Sequence, residues 1–269
     1  MEPNEDYIRK LKEAYPLMEP AVLAAIRDLH LPLGSRGLDA GCGIGLSVLL
    51  LADEVGPTGR VTGLDQSSEL IREAEKIVKQ QGLSDQVNFQ VCDIHRLPFE
   101  DNAFEWAWSS CCVGYAPSVD PYRAMKEFFR VVKPGGTVAL LAWSSEKLLP
   151  GYPLLEASLN ATVSGLAPFD AKGKPEMHFM RALGWFREAG LKNLFAQTFI
   201  GEVQAPLSKK MRQSLIALFQ MRWENLESEL SENQVSLYRR FCLPESGEFI
   251  IDHPDYYSFF TLSLFAGYV

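Results

Sequence analysis

The chain lacks the features that would place it among membrane, secreted or repetitive proteins. None of its apolar runs approaches the roughly 20 residues that a membrane-spanning helix needs, and its polar start, MEPNEDYIRKLKEAYP, contains no apolar signal core. It has no internal repeat and no low-complexity tract. Its 269 residues, 47% of them hydrophobic, are enough to bury a sizeable core. We therefore expect one elaborated domain with no membrane span.

Paired cysteines and an excess of positive charge are also missing. The five cysteines are odd in number and have no Cys-x-x-Cys spacing, which predicts reduced thiols in a cytoplasmic protein. The net charge of -8 argues against a nucleic-acid partner, because duplex binding is driven by neutralising phosphates. No cluster of His, Cys and acidic residues has metal-ligand spacing, so we predict no metal. The composition leaves the oligomeric state open.

What the sequence does contain is a regular alternation of strand and helix patterns. Three strand patterns end at Asp39, Asp65 and Asp93, and AFEWAWSS and TVALLAW form a fourth and a fifth. Amphipathic helix patterns lie between most of them, and the turn KPGG precedes the fifth strand. This alternation predicts an α/β fold with a parallel sheet and right-handed crossovers.

Less regular segments flank the alternating part. Residues 6–14 and 19–29 each predict a short N-terminal helix. Helix patterns over 208–230 and 232–241 lie between two strand patterns, LFAQTFIGEV and DYYSFFTLSLFAGYV, so they predict an insertion or cap. We divide the chain into an N-terminal helical segment (1–33), a core (34–206), an inserted helical cap (207–248) and a final strand region that returns to the core (249–269).

The stretch GLDAGCGIGLSVLL is the most informative, because an acid precedes closely spaced glycines at the first strand-to-helix turn. Gly41, Gly43 and Gly45 let the backbone turn tightly and approach a ligand, since they have no β-carbon. A dinucleotide-binding loop has its third glycine one residue later, where this chain has Leu46. A P-loop needs a lysine that GIGLSV lacks.

Asp39 stands two residues before the first glycine and bears on the charge of the ligand. A carboxylate there repels a pyrophosphate: two like charges about 6 Å apart cost on the order of 3 kcal/mol at an effective dielectric near 20. The same carboxylate attracts an ammonium group. The loop therefore predicts a cationic ligand rather than a phosphorylated one.

Two further acids complete the pattern. Asp65 falls about 20 residues beyond the glycines, at a strand end where a carboxylate can accept from ribose hydroxyls. Asp93 ends the next strand, where an acceptor can meet an adenine amino group. Each acid alone is typical of a helix cap or a solvated strand end, but the three together favour a nucleoside site.

Four segments in order resemble the successive motifs of the class I S-adenosylmethionine-dependent methyltransferases, particularly the small-molecule group that includes the ubiquinone and menaquinone C-methyltransferases. They are LDAGCGIG, VTGLDQSSELI, VNFQVCDIHRLPFEDNAFEWAWSS and EFFRVVKPGGTVALLAW. The resemblance covers roughly residues 34–143. It implies a Rossmann-like fold with a mostly parallel seven-stranded sheet flanked by helices, and S-adenosylmethionine as cofactor with S-adenosylhomocysteine as product.

The resemblance also implies which residues bind the cofactor. Asp39 and the loop of Gly41, Gly43 and Gly45 would surround the methionine part, and Asp65 would bind the ribose. The resemblance further implies Ala40 and Gln66, the neighbours of Asp39 and Asp65, as cofactor contacts. Asp93 with Ile94 would flank the adenine, and Ser109 or Ser110 would lie near the sulfonium. Glu105 departs from the aspartate usual in the family, and the loop SSCCVGY leaves the acceptor open.

The predicted reaction is an in-line displacement of methyl from S-adenosylmethionine to oxygen, carbon or nitrogen of a small, hydrophobic or aromatic acceptor. Positioning can supply much of the rate, so a general base is optional. Tyr115, His178 and His253 are the candidate catalytic residues, while Cys111 is more typical of an inert buried thiol. Trp223 in the predicted lid is a candidate acceptor contact. Two alternatives remain open at this point: an NAD-type oxidoreductase and a non-catalytic S-adenosylmethionine-binding module.

Overall fold

Seven strands form a single sheet in the order β3-β2-β1-β4-β5-β7-β6. The computed structural model describes residues 5–115, 119–166 and 174–269, so residues 1–4 of the predicted N-terminal segment and 116–118 and 167–173 of the predicted core lie outside it. The strands are β1 (Arg36–Ala40), β2 (Arg60–Asp65), β3 (Val87–Val91), β4 (Phe104–Ser110), β5 (Val132–Lys147), β6 (Lys192–Gln204) and β7 (Tyr257–Tyr268).

Helices cover both faces of this sheet. In chain order they are α1 (Glu5–Asp28), α2 (Leu46–Val55), α3 (Ser68–Gln80), α4 (Pro121–Val131), α5 (Pro153–Asn160), α6 (Val163–Leu166), α7 (Ala182–Ala189), α8 (Lys209–Arg222) and α9 (Glu232–Cys242). Among the residues that the structure describes, no helix is long and apolar enough to cross a membrane.

The first five strands are parallel, and β7 runs antiparallel between β5 and β6. The predicted α/β fold with a mostly parallel seven-stranded sheet is therefore confirmed. The carboxyl ends of β1, β2 and β4 lie at one edge of the sheet. Since β1 lies between β2 and β4, the chain leaves β1 toward one side and later returns to the other, which opens a crevice at this edge.

Local sequence explains where the helices beside the crevice begin. The Ser67 hydroxyl accepts a hydrogen bond from the Leu70 amide and caps α3. Asp120 caps α4 in the same way, with Pro121 in the first turn, where its missing N–H has no partner to lose. Both helices bury an apolar face on the sheet, so the start of each is fixed next to a strand end.

The two predicted N-terminal helices are one continuous helix, α1, and the break expected between them was wrong. Pro16 and Pro20 lie inside it, although proline removes a helix hydrogen bond. The helix survives because it is packed along its length: Leu17, Ala25 and Ile26 are buried in the core it shares with α2 and α8. Tertiary packing overrides the local preference here.

The predicted helix over 208–230 is also too long. The helix α8 ends at Arg222, because Trp223 leaves the helical conformation and Asn225 is left-handed with φ +56°. The Trp223 indole instead turns inward and donates to Asn160 Oδ1 at 2.8 Å. The turn KPGG is likewise not a separate turn before the fifth strand, since it lies inside β5, where the pairing with β4 shifts register.

Candidate active site

The glycine loop after β1 is pinned to the end of β2. The amides of Gly41 and Cys42 both donate to the Leu64 carbonyl, at 2.8 and 2.9 Å. Gly41 has φ +79°, and a β-carbon there would lie 2.7 Å from Cys112 Cβ, so only glycine fits. By contrast, a β-carbon at Gly43 would meet no atom of the described residues within 4 Å. This part of the loop therefore faces open space that a ligand can fill.

Asp65, at the end of β2, holds the loop and the next helix together. Its Oδ2 accepts from the Gly43 amide at 3.0 Å, and its Oδ1 accepts from the Ser67 amide at 2.9 Å. Each carboxylate oxygen has a second lone pair, so Asp65 can still accept from a ligand hydroxyl. Gln66, directly after it, is exposed at the same edge of the sheet.

Asp39 is the most unusual group of the site. Its side chain is 1% exposed, and neither of its oxygens has a hydrogen-bond partner among the described residues. Burial, and then the charge of Asp65, raise the pKa of Asp39 to about 8. Asp39 is therefore mostly protonated at neutral pH in the unliganded protein. The negative charge that the sequence predicts at this position forms only when a cation lies beside the carboxyl group.

The end of β4 closes the other side of the crevice. The Ser109 hydroxyl is buried and, within the described ranges, has no hydrogen-bond partner. Cys111 follows with φ +49°, and its amide donates to the Leu141 carbonyl at 2.8 Å. Cys111 is exposed, so the expectation of a buried thiol at this position was wrong. Cys112 is half-buried against Gly41, and burial raises the pKa of its thiol to about 12, so it is neutral at pH 7.

Asp93 and Ile94 lie on the loop after β3, which ends at Val91, two residues earlier than predicted. The Asp93 side chain is 64% exposed, while Ile94 is buried behind it. Asp93 Oδ1 accepts from the His95 amide at 2.9 Å and lies 2.8 Å from His95 Nδ1. These contacts, the His95 amide first, hold the pKa of Asp93 below its usual value. Asp93 is therefore an oriented, ionised acceptor.

Two of the three candidate catalytic residues lie in one aromatic cluster. The Tyr115 ring is 5.8 Å from that of Phe179, and the His178 ring stacks on Phe179 at 4.5 Å. The Tyr115 hydroxyl donates to the Trp143 carbonyl at 3.1 Å, and burial raises its pKa well above the usual value. His253 instead lies in an exposed turn before β7, where its Nδ1 accepts from the Asp255 amide at 3.2 Å.

The hydrogen bonds of the two histidines fix their neutral tautomers. His178 Nδ1 accepts from the Met180 amide at 3.2 Å, as His253 Nδ1 does from Asp255. An accepting Nδ1 leaves the proton on Nε2. Burial lowers the pKa of His178, which keeps that ring neutral. In these tautomers the Nδ1 lone pair of each ring is already used in a hydrogen bond, and Tyr115 stays protonated at neutral pH.

A buried ion pair that the sequence did not predict joins the cap to this cluster. Glu146 Oε1 accepts from Arg222 Nη2 of α8 at 2.9 Å, and its Oε2 accepts from the Trp143 indole at 2.7 Å. Trp143 is the residue whose carbonyl receives the Tyr115 hydroxyl. Trp223 is wholly buried inside the cap, so it is not on the surface of the crevice. In the sequence, the only sign of this ion pair was that an acidic residue, Glu146, follows shortly after the apolar strand pattern TVALLAW.

His95 is a second residue that the sequence analysis missed. Its ring contacts the Asp93 carboxylate on one side and the Asp120 amide on the other, and it follows Asp93 by two residues, the spacing of an Asx turn. Within the parts of the chain that the structure describes, no group of three or more His, Cys, Asp or Glu side chains could hold a metal ion.

Comparisons with known proteins agree with this geometry. The methyltransferase domain family matches residues 38–136. The demethylmenaquinone methyltransferase of Staphylococcus aureus is 32% identical over 197 residues, which span 67% of this chain and 77% of that enzyme.

Two solved structures share the fold. The YcgJ protein of Bacillus subtilis has a TM-score of 0.56 and 18% identity over 93% of this chain and 98% of its own. An S-adenosylmethionine-dependent methyltransferase of Aquifex aeolicus has a TM-score of 0.53 and 20% identity over 71% of this chain and 90% of its own. Together with the sequence relative, they lead to one conclusion: the chain belongs to the class I S-adenosylmethionine-dependent methyltransferases and resembles the quinone methyltransferases among them.

Proposed function

We propose that this enzyme methylates a small, apolar or aromatic acceptor, and that the residues around the glycine loop bind the cofactor. The observation that carries the proposal is Asp39, an acid with 1% exposure whose two oxygens have no hydrogen-bond partner in the described part of the chain, beside the glycine loop. A buried carboxyl group without hydrogen bonds is unfavourable unless a ligand completes it. The ammonium of a methionine moiety is a partner of the right charge.

The proposed contacts follow the order of the strands. Asp39, Ala40, Gly41, Gly43 and Gly45 hold the methionine part, since Gly43 faces open space and Asp39 lacks a partner. The remaining contacts are those of the ribose, the adenine and the sulfur side: Asp65 with Gln66, Asp93 with Ile94, and Ser109, whose hydroxyl is buried. The bound cofactor supplies a methyl group already activated on a sulfonium, so these residues have only to hold and orient it.

The acceptor site in this proposal is the aromatic cluster at the end of β4. The half-buried Tyr115 ring packs against the buried Phe179 ring and offers apolar surface near Cys111, the residue that follows β4. A flat, apolar ring fits such a surface better than a charged or extended chain. The likeness to a demethylmenaquinone methyltransferase supports a quinone-like ring as acceptor. All five cysteines are free, which supports action in the reducing cytoplasm.

In this proposal the acceptor brings its own nucleophile. The Tyr115 hydroxyl donates a hydrogen bond to a carbonyl, and His178 and His253 carry their ring protons on Nε2. In this proposal these groups therefore do not deprotonate the acceptor. An ionised quinol or phenol, or a neutral amine, meets this requirement.

The test is a turnover assay with methyl-labelled S-adenosylmethionine and a panel of quinols, phenols, amines and thiols. We expect product from ring acceptors, and Tyr115→Ala should lower turnover at least tenfold while changing the Kd for S-adenosylhomocysteine by less than twofold. The matched control is Tyr238→Ala, a half-buried tyrosine of α9 whose hydroxyl donates to the Trp223 carbonyl within the cap. Binding of S-adenosylhomocysteine with no product from any acceptor would overturn the proposal, and so would an equal loss in both tyrosine variants.

A further inference from the structure

We propose that His95 is a positioning residue that sets the Asp93 carboxylate for recognition of the adenine amino group. The inference rests on the proposed function of Asp93. The His95 side chain is 11% exposed, whereas that of Asp93 is 64% exposed. The imidazole is thus buried behind the group that meets the ligand, and it acts on the ligand only through Asp93.

The hydrogen bonds of His95 fix its protonation pattern. The Asp120 amide donates to Nε2 at 2.8 Å, so Nε2 carries a lone pair and the ring proton is on Nδ1. Nδ1 lies 2.8 Å from Asp93 Oδ1 and donates to it. The His95 amide donates to the same oxygen at 2.9 Å. Oδ1 is therefore held by two donors from one residue, which fixes the orientation of the whole carboxylate.

The other side of the ring is tied to the start of a helix. Asp120 caps α4, its Oδ1 accepting from the amides of Tyr122 and Arg123 at 3.0 and 3.3 Å. Because the Asp120 amide is oriented by this cap, His95 has a fixed support on the far side of the loop. The ring then connects the loop after β3 to the N-terminus of α4, and that connection sets the rotamer of Asp93 relative to the crevice.

The chemistry of an oriented carboxylate defines what it selects. An ionised oxygen accepts hydrogen bonds and cannot donate, so it favours the 6-amino group of adenine and disfavours a 6-oxo group. A freely rotating carboxylate would retain part of this preference but would lose affinity in ordering its side chain on binding. His95 thus contributes to the affinity for the adenine base rather than to methyl transfer itself.

The test compares S-adenosylhomocysteine with S-inosylhomocysteine, which carries oxygen in place of the amino group, by calorimetric titration. His95→Phe keeps a ring but removes both nitrogens, and we expect it to weaken S-adenosylhomocysteine binding about tenfold and S-inosylhomocysteine binding less than twofold. His95→Gln can both donate and accept, so it should restore part of the loss. The control is His30→Phe, an exposed ring that follows α1 and should change neither Kd.

A cycle with Asp93→Ala separates positioning from folding. If His95 acts through Asp93, then His95→Phe should have no further effect on binding in the Asp93→Ala background. Equal weakening of both ligands by His95→Phe, or the same tenfold loss in the Asp93→Ala background, would overturn the inference in favour of a structural role. If His95→Phe does not fold, the comparison of His95→Gln with Asp93→Ala on the two ligands decides in the same way. Failure of the unmodified protein to bind S-adenosylhomocysteine would instead refute the proposed function, and the inference with it.

Discussion

Asp39 ties the stability of the unliganded protein to pH. Its pKa is raised from an ordinary value near 4 to about 8 by burial and by Asp65. A raised folded-state pKa means that the stability contribution is fully present below about pH 4 and is lost as the pH rises through about 8. The folded protein keeps a proton in this range that the unfolded chain releases. The unfolding free energy of the unliganded protein should therefore fall steadily between about pH 4 and about pH 8.

Asp39→Asn should remove this pH dependence, because a side-chain amide does not titrate in this pH range. Between pH 5 and pH 8 the unmodified protein should lose on the order of 3 kcal/mol of unfolding free energy relative to the variant. Denaturant unfolding at the two pH values, both without ligand, measures the difference. Equal pH dependence of the two proteins would show that Asp39 is not buried and proton-bound as described.

The glycines of the loop should respond differently to the same change. Gly41→Ala combines a left-handed backbone with a clash against Cys112, and should destabilise the fold by about 3 kcal/mol. Gly43→Ala has only the backbone term, about 1 kcal/mol, since its β-carbon would enter open space. That space is where the cofactor is proposed to bind, so Gly43→Ala should weaken binding tenfold or more. Thermal unfolding and calorimetric titration of the pair provide the test, and the reverse ranking of stabilities would contradict it.

For single residues, the sequence predicted which side chains belong to the glycine loop but not their protonation states. The spacing of Asp39 and the glycines was sufficient to indicate a ligand loop. The protonation of Asp39 was not predictable, because it depends on complete burial and on the distance to Asp65, which only the folded chain defines. The contact between Gly41 and Cys112 joins residues that are 71 positions apart, and no local pattern reports it.

At the scale of elements, a buried ion pair links the cap helix α8 to the end of β5, in addition to the apolar packing of α8. Glu146, 3% exposed, faces Arg222 and the Trp143 indole. Glu146→Gln should leave the Arg222 guanidinium facing a neutral group and lower the unfolding free energy by about 3 kcal/mol, because a half-removed buried pair leaves a desolvated charge. The control is Glu248→Gln, in an exposed pair with Arg240, where we expect less than about 1 kcal/mol.

Denaturant unfolding of these two glutamine variants measures the difference. The same ion pair lies beside Trp143, whose carbonyl receives the Tyr115 hydroxyl, so Glu146→Gln should also reduce acceptor turnover. A stability loss no larger than that of Glu248→Gln would show that α8 is held by its apolar contacts alone.

Two of the errors in the predicted elements, those in α1 and α8, have a common physical cause. Periodicity located α3, α4 and β7 well, because their apolar faces and caps are encoded locally. It failed for α1, where contacts with α8 stabilise a helix that contains Pro16 and Pro20. It failed again at the end of α8, where Trp223 bonds Asn160, 63 residues earlier. Both errors lie where a distant element, rather than the local sequence, determines the backbone.

At the scale of the whole molecule, the order of the strands gives the site its position. Alternating patterns predicted a parallel sheet, but periodicity carries no information on which strand is central, so the strand order was not predicted. With β1 between β2 and β4, the loops that follow all three meet at one edge. Asp39, Asp65 and Ser109 come together there although they span 71 positions of the chain.

The central claim is that the Asp39 carboxyl group binds the ammonium of the cofactor's methionine part. Binding of S-adenosylmethionine tests this claim most directly. Asp39 is protonated at pH 7 without ligand, so an ammonium beside it should expel that proton. Calorimetric titration at pH 7 in two buffers of different ionisation enthalpy should show release of about one proton for the unmodified protein, but none for Asp39→Asn, whose Kd should be at least tenfold weaker. The same proton count and the same Kd for both proteins would contradict the account.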